Sequence, residues 1–329
     1  MNEKKITKGY LAEEVVRNYF LETEAYVLRD VKLTIENEEL SDMDLWLYLK
    51  PSPFARMRIN VDIKDKDRPK AMERIVWAKG IKESFDFEQA IVVTSSKREN
   101  IHEFGKKTGV SIIDGISLEL LKQKYSKLET RFTEEDFNGN LDPILVKIKE
   151  ASKQLLIRDS NFDVLNQLLE DLKTIILKKV NNGNEKEWVC RLFYFQLSLI
   201  LLCVDNLFVK NHLKFPLSRI KESFEEGVLY GETAKTVLDE TKRQFGDIPA
   251  VRLRLKEFET SISEINFKVL SEHFLKSDVQ NSLFRDAKVL ESYAFNKAFV
   301  TPEKLEPYIK SHFAVLLDFH RLDRKKFMY

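Results

Sequence analysis

The sequence predicts two domains of different texture: an α/β domain built on a mixed sheet over residues 1–132, and an all-α domain over residues 141–329. Three observations carry this. The first part mixes segments of apolar–polar alternation with helical stripes. The second runs in long helical periodicity and holds only four of the ten glycines. Between them, Thr133-Glu134-Glu135-Asp136-Phe137-Asn138-Gly139-Asn140 is polar and closes on a turn signal. A length of 329 residues suits two domains.

Element by element, Gly9 to Leu21 places Leu11, Val15, Val16, Tyr19 and Phe20 on one helical stripe. Tyr26 to Ile35 alternates and leads into the acidic loop Glu36-Asn37-Glu38-Glu39. Asp42 to Leu49 alternates strictly, with Met43, Leu45, Leu47 and Leu49 opposite Asp42, Asp44, Trp46 and Tyr48. A turn at Lys50-Pro51-Ser52-Pro53 leads to Arg58–Lys64, where Ile59, Val61 and Ile63 oppose Asn60, Asp62 and Lys64. Pro69 suits the first turn of a helix reaching Phe85. Ala90–Thr94 and Val110–Ile113 read as short buried strands with a helix between them, so helices cover both faces of the sheet. Beyond residue 141, helices are predicted over 141–157, 161–181, 185–210, 216–229, 231–245, 249–276, 278–298 and 302–326, with cap chemistry at Ser160, Asp163 and Thr301-Pro302.

Composition excludes several classes. Lys and Arg total 54 against 53 Asp and Glu, a net charge of +1, so nucleic acid is not coated by charge alone and any contact needs a local patch. Two cysteines, Cys190 and Cys203, make neither a disulfide framework nor a CxxC zinc site and fit a reducing compartment. No apolar stretch follows the N-terminus, so no signal peptide is expected. The apolar run Leu192–Val204 spans 13 residues against the roughly 20 that cross a bilayer and reads as a core helix. A cytoplasmic protein without membrane contact is expected.

The chemistry concentrates on two neighbouring strands. Period two puts Asp62 and Lys64 on one face, and Asp42 and Asp44 on one face. A turn near Pro53 sets an antiparallel register pairing Asp44 with Asp62 and Asp42 with Lys64. Cross-strand neighbours lie about 4.5–5.5 Å apart at Cβ. Two carboxylates that close repel unless a cation separates them, and hard divalent ions take such oxygens. With the acids on a metal ion, Lys64 would stabilise developing negative charge and orient water, the parts needed to hydrolyse a phosphodiester. Arg56, Arg58, Lys66, Arg68, Lys70 and Arg74 are candidate phosphate grips.

The spacing Asp44, eighteen residues, Asp62-Ile63-Lys64 resembles the PD-(D/E)XK signature of restriction-endonuclease-like nucleases. The element order also resembles the Mrr-type and Holliday-junction-resolvase-like branch. So do the segments Asp62-Ile63-Lys64-Asp65-Lys66, Glu73-Arg74-Ile75-Val76-Trp77-Ala78-Lys79-Gly80 and Ala90-Ile91-Val92-Val93-Thr94-Ser95, within residues 5–120. The resemblance implies a restriction-endonuclease-like domain using Mg²⁺, with Mn²⁺ as substitute. Asp44, Asp62 and the Ile63 carbonyl would hold the ion, and Lys64 would be the catalytic lysine. Glu13 matches an acid lent by the first helix, with Glu14 as its alternative, as Asp42 is to Asp44. Met43 stands where the name-giving proline would be. A metal-dependent nuclease is implied, acting on DNA in preference to RNA, in restriction, anti-phage defence, recombination or repair. A homodimer would supply two cuts, and the helical domain would serve recognition, oligomerisation or a protein partner.

Blander readings stand beside these. Asp62 and Lys64 would otherwise form a solvated ion pair worth about 0–1 kcal/mol. Glu13 would complement the start of a helix dipole, and Arg321, Arg324, Lys325 and Lys326 the end of one. The histidines His102, His212, His273, His312 and His320 read as packing or surface residues, and Phe193-Tyr194-Phe195 as core. The rival function is a nuclease fold that binds nucleic acid or protein without cutting.

Overall fold

The computed structural model describes residues 8–35, 38–126, 130–158, 160–178, 183–214, 217–262 and 266–324. The chain divides into two compact units, Met1–Asp142 and Pro143–Tyr329.

The first unit is a mixed five-stranded sheet between helices. Its elements are α1 (Lys8–Glu22), β1 (Tyr26–Ile35), β2 (Glu38–Ser52), β3 (Ala55–Lys64), α2 (Ala71–Ser84), β4 (Gln89–Thr94), α3 (Asn100–Thr108), β5 (Ser111–Ile113), α4 (Gly115–Tyr125) and α5 (Glu134–Gly139). Strand order follows chain order, β1-β2-β3-β4-β5. The first three strands form an antiparallel meander, while β3, β4 and β5 run parallel. This follows from the connections: short turns join antiparallel neighbours, whereas the α2 and α3 crossovers return the chain in the same direction.

Alternation along each strand feeds two cores. On one face, Ala12, Val16 and Phe20 of α1 and Leu118 of α4 pack with Val27, Leu45, Leu47, Ile59, Val61, Ile63 and Val93. On the other, Ala71, Ile75 and Ala78 of α2 and Ile101 of α3 pack with Ala90 and Val92. Trp46 and Tyr48, expected on the polar face of β2, are buried as well. Burial on both sides is what strands inside a layered α/β unit require. Gly115 opens α4 where a Cβ would lie 2.3 Å from the Ser95 carbonyl oxygen, so glycine is required there. Asp114 caps α4 through the Ser117 N–H at 2.8 Å.

Several boundaries differ from the sequence reading. The polar stretch after residue 132 folds: Thr133 and Asp136 form a capping box that starts α5 within the first unit. Helix α4 carries no early alternation or cap pattern beyond Asp114 and is not among the expected elements. In the second unit, α6 (Pro143–Arg158), α7 (Phe162–Leu177) and α8 (Gly183–Lys214) are followed by α9 (Leu217–Phe245), which joins two expected helices across a kink at Gly231 (φ 71°). The expected 249–276 helix is two, α10 (Pro249–Ile262) and α11 (Phe267–Phe274). After α12 (Ser277–Phe295), Thr301-Pro302 begins a short 3₁₀ turn, and the last helix, α13, spans Pro307–Phe319. Asn161, rather than Ser160, caps α7 through the Val164 N–H.

Among the described residues, one helix segment, Glu185–Lys210, is long and apolar enough to cross a membrane, and 94% of its most apolar window is buried within the protein. Arg191 on this helix donates to the carbonyls of Tyr293, Ala294, Asn296 and Lys297, at and just beyond the C-terminus of α12. His212, Asn37, Lys325 and Lys326, together with Glu36 of the acidic loop, lie outside the described side chains.

Candidate active site

The β2–β3 pair holds the expected register. Leu45 is opposite Val61, Leu47 opposite Ile59 and Leu49 opposite Met57, so one further step sets Asp44 against Asp62. Lys64 Nζ lies 3.5 Å from Asp44 Oδ2 and 3.7 Å from Asp62 Oδ1. The Ile63 N–H donates to Asp44 Oδ2 at 2.5 Å. Within a strand the N–H and C=O of one residue point to the same edge, so the Ile63 carbonyl also faces β2. Asp44, Asp62, Ile63 and Lys64 are thus brought together at the C-terminal end of β3.

This is not a solvated strand face. Asp62 is 2% exposed. Burial pushes the Asp44 carboxyl up to about 7; the neighbouring Asp62 and Glu13 add to the rise, and Lys64 and the Ile63 N–H oppose it. Asp42, the alternative acid, is exposed and pairs with Lys32 in the β1–β2 ladder. Asp30 falls opposite Asp44 between the pairs Arg29–Leu45 and Val31–Met43, with left-handed backbone at φ 53°.

Arg74 completes the site. It lies on the sheet-facing stripe of α2 with Ala71, Ile75 and Ala78, positions three and four apart. Its Nε donates to Asp62 Oδ2 at 2.8 Å, and its Nη2 donates to Asp62 Oδ1. The guanidinium also stacks on Trp77, 4.3 Å from the ring centre. A cation inside an apolar helical stripe was the signal in the sequence for this residue.

Glu13 and Glu14 are both held by Arg29, a buried cation on β1. Arg29 Nη2 and Nε donate to Glu13 Oε2 at 2.7 and 2.9 Å, and Nη1 donates to Glu14 at 2.8 Å and to Glu135 of α5 at 2.9 Å. Tyr10 covers the guanidinium at 4.2 Å. Burial raises the Glu13 carboxyl while Arg29 opposes the rise. The charge of Glu13 reaches the strand pair, bearing on Asp44, while Lys64 bears on Glu13. Glu13 is a first-helix acid whose charge bears on Asp44, and Glu14 bonds to Arg17 and Arg29.

Two expected phosphate grips lie elsewhere. Arg56 donates to carbonyls of the β2–β3 turn, and Arg58 bonds to Glu88 and the Asp86 carbonyl. Both sit at the start of β3, and the six residues from Arg58 to Lys64 span about 20 Å. Lys66 and Arg68 remain beside the site on the exposed loop before α2, where the Lys66 backbone is tied to Ser95 Oγ. Lys70 pairs with Glu73.

Nothing among family models, curated proteins or solved structures matches this chain.

For a divalent cation, the donor set is mixed. Asp44 and Asp62 are hard oxygen ligands; burial is the main cause of the raised Asp44, and the neighbouring Asp62 charge, which a cation would offset, adds to it. Both Asp62 oxygens are nonetheless taken by Arg74. Among the described residues, no three His, Cys, Asp or Glu side chains gather closely enough to ligate one ion. The residues therefore fit an ion in donor chemistry, on condition that Arg74 leaves Asp62.

Proposed function

We propose that the first unit is a metal-dependent nuclease of the PD-(D/E)XK type, hydrolysing phosphodiester bonds in DNA. One observation carries this: Asp44, Asp62 and Lys64 converge at the end of β3, with Lys64 within 3.5 and 3.7 Å of the two carboxylates. A five-stranded mixed sheet with helices on both faces supports the same reading. Asp44, Asp62 and the Ile63 carbonyl would hold Mg²⁺, or Mn²⁺ in its place. The ion supplies charge neutralisation at the scissile phosphate and activation of water. Lys64 offers its ammonium to the charge developing on the phosphate. Glu13, fixed by Arg29, adds negative field beside the carboxylates, and Lys66 and Arg68 meet the backbone phosphates. A homodimer would place two such sites on two strands. A cytoplasmic setting in restriction, anti-phage defence, recombination or repair belongs to the same proposal, with the helical unit serving recognition, oligomerisation or a partner.

Plasmid DNA incubated with the full chain and Mg²⁺ or Mn²⁺ tests it. Nicking or linearisation is expected, abolished by chelator and by Asp62→Asn. Lys64→Ala is expected to lower kcat about 100-fold or more with little change in KM, as when a group acting on transition-state charge is lost.

A second reading has its own observation. The bidentate Arg74–Asp62 pair neutralises the buried acid without a metal, as suits a nuclease fold that binds nucleic acid or protein and does not cut. Intact DNA and RNA under all these conditions, with binding retained, would decide for it.

A further inference from the structure

Asp62 has two oxygens, and Arg74 engages both. A bidentate guanidinium uses one lone pair on each oxygen and the negative charge that a divalent cation also needs, so the two compete for this carboxylate. Resting on the nuclease reading above, we propose that Arg74 is a substrate-contacting residue that trades partners: it holds Asp62 in the free protein and passes to a phosphate of the bound nucleic acid, which opens Asp62 to the metal ion.

Four features favour the exchange. A phosphate presents paired oxygens to a guanidinium in the same fork geometry as a carboxylate, so Arg74 loses no bond type in moving. Its side chain is 22% exposed while Asp62 is 2% exposed, so the guanidinium sits between the buried acid and solvent. Trp77 stacks against the guanidinium and is a contact that does not depend on Asp62. The exposed Lys66 and Arg68 lie on the loop that enters α2, so a nucleic-acid backbone drawn to them arrives within a helical turn or two of Arg74. In the free protein the pair of acids is balanced by Lys64 and Arg74. Adding a dication without moving Arg74 would place excess positive charge at one buried carboxylate. Passing Arg74 to an incoming phosphate removes one of the two excess positive charges. The ion and the substrate are then taken up cooperatively, each strengthening the other by the same factor.

The test is Mn²⁺ binding by the full-length protein, read from the electron paramagnetic resonance signal of free Mn²⁺, with and without a phosphorothioate DNA duplex. Asp62→Asn defines the background, including ions held by the duplex itself. Wild type is expected to bind Mn²⁺ weakly alone and at least about tenfold more tightly with duplex. Arg74→Met is expected to bind about tenfold more tightly than wild type without duplex, and to gain little when duplex is added. Arg74→Lys, which makes one contact in place of two, should fall between them and serves if the methionine variant does not give a native circular dichroism spectrum. Equal affinities for wild type and the Arg74 variants, all above the Asp62→Asn background, would overturn the exchange and leave the metal site standing. Binding no greater than that background, with or without duplex, would overturn both the exchange and the metal-dependent reading.

Discussion

Arg29 carries three glutamates on one buried guanidinium, and its removal would leave Glu13, Glu14 and Glu135 facing one another. Breaking a buried ionic cluster by deleting one partner costs about 3–5 kcal/mol. Arg29→Met should therefore shift the urea midpoint of the first unit strongly downward, followed by the fluorescence of Trp46 and Trp77; an unchanged midpoint would show the cluster to be inert. At this scale the sequence was legible where period two applies. It placed Asp62 and Lys64 on one face, and a turn near Pro53 set Asp44 opposite Asp62. The pairing of Asp62 with Arg74, and of Glu13 and Glu14 with Arg29, was not legible, because tertiary packing makes it. Arg56 and Arg58 matched a basic patch in composition and lie at the wrong end of the strand. Proximity in sequence along an extended strand grows by about 3.3 Å per residue, so six positions are enough to separate charge from site.

Helices α2 and α4 set the spacing of the site from opposite faces of the sheet. Gly115 lets the start of α4 lie against the strand end at Ser95, whose hydroxyl bonds to the Lys66 backbone. Gly115→Ala would drive a methyl group into a backbone carbonyl, which cannot swing aside as a side-chain end can. A loss of about 1–3 kcal/mol is expected from such overpacking, together with faster amide exchange around residues 95–97 and 114–117. Native stability would show that α4 moves freely on the sheet. Elements whose pattern repeats were read correctly: α1, the meander and the helices that bury one stripe. The misses share a physical cause. Residues 133–140 are polar and fold through a capping box whose two side chains satisfy the helix start. Gly231 interrupts helical geometry without ending the helix, because Asp163 accepts the N–H groups of Glu232 and Thr233 that the kink exposes.

The two units of the molecule store different chemistry. The first gathers charge at one strand end, whereas the second is built around a helix whose residues from Leu192 to Val204 are all buried. Two acid-sensitive histidines, His273 and His320, belong to that second unit. His273 Nε2 lies 2.9 Å from His312 Nδ1, and His312 Nε2 lies 3.1 Å from Asp286 Oδ2, a chain across α11, α13 and α12 that no sequence spacing announces. Burial, with the charges of His312 and Lys276, pushes His273 down to about 4, against the opposing charge of Asp278; burial and Lys173 push His320 down to about 4. An unfolded histidine titrates near 6.5. The unfolded chain therefore binds protons that the folded one refuses between about pH 6.5 and 4. Stability of this unit is full above that window and falls as the pH drops through it. His273→Gln should remove about half of the slope, leaving the part due to His320, with unfolding followed by Trp188 fluorescence. An identical slope in the variant would refute the assignment. The bond from Glu135 to Arg29 carries a practical meaning for dissecting the chain. A fragment ending at residue 132 would discard α5 and leave the arginine one carboxylate short, so loss of cutting in that fragment would report a damaged scaffold. A fragment ending at Asp142 keeps the anchor and is the fair version of the deletion.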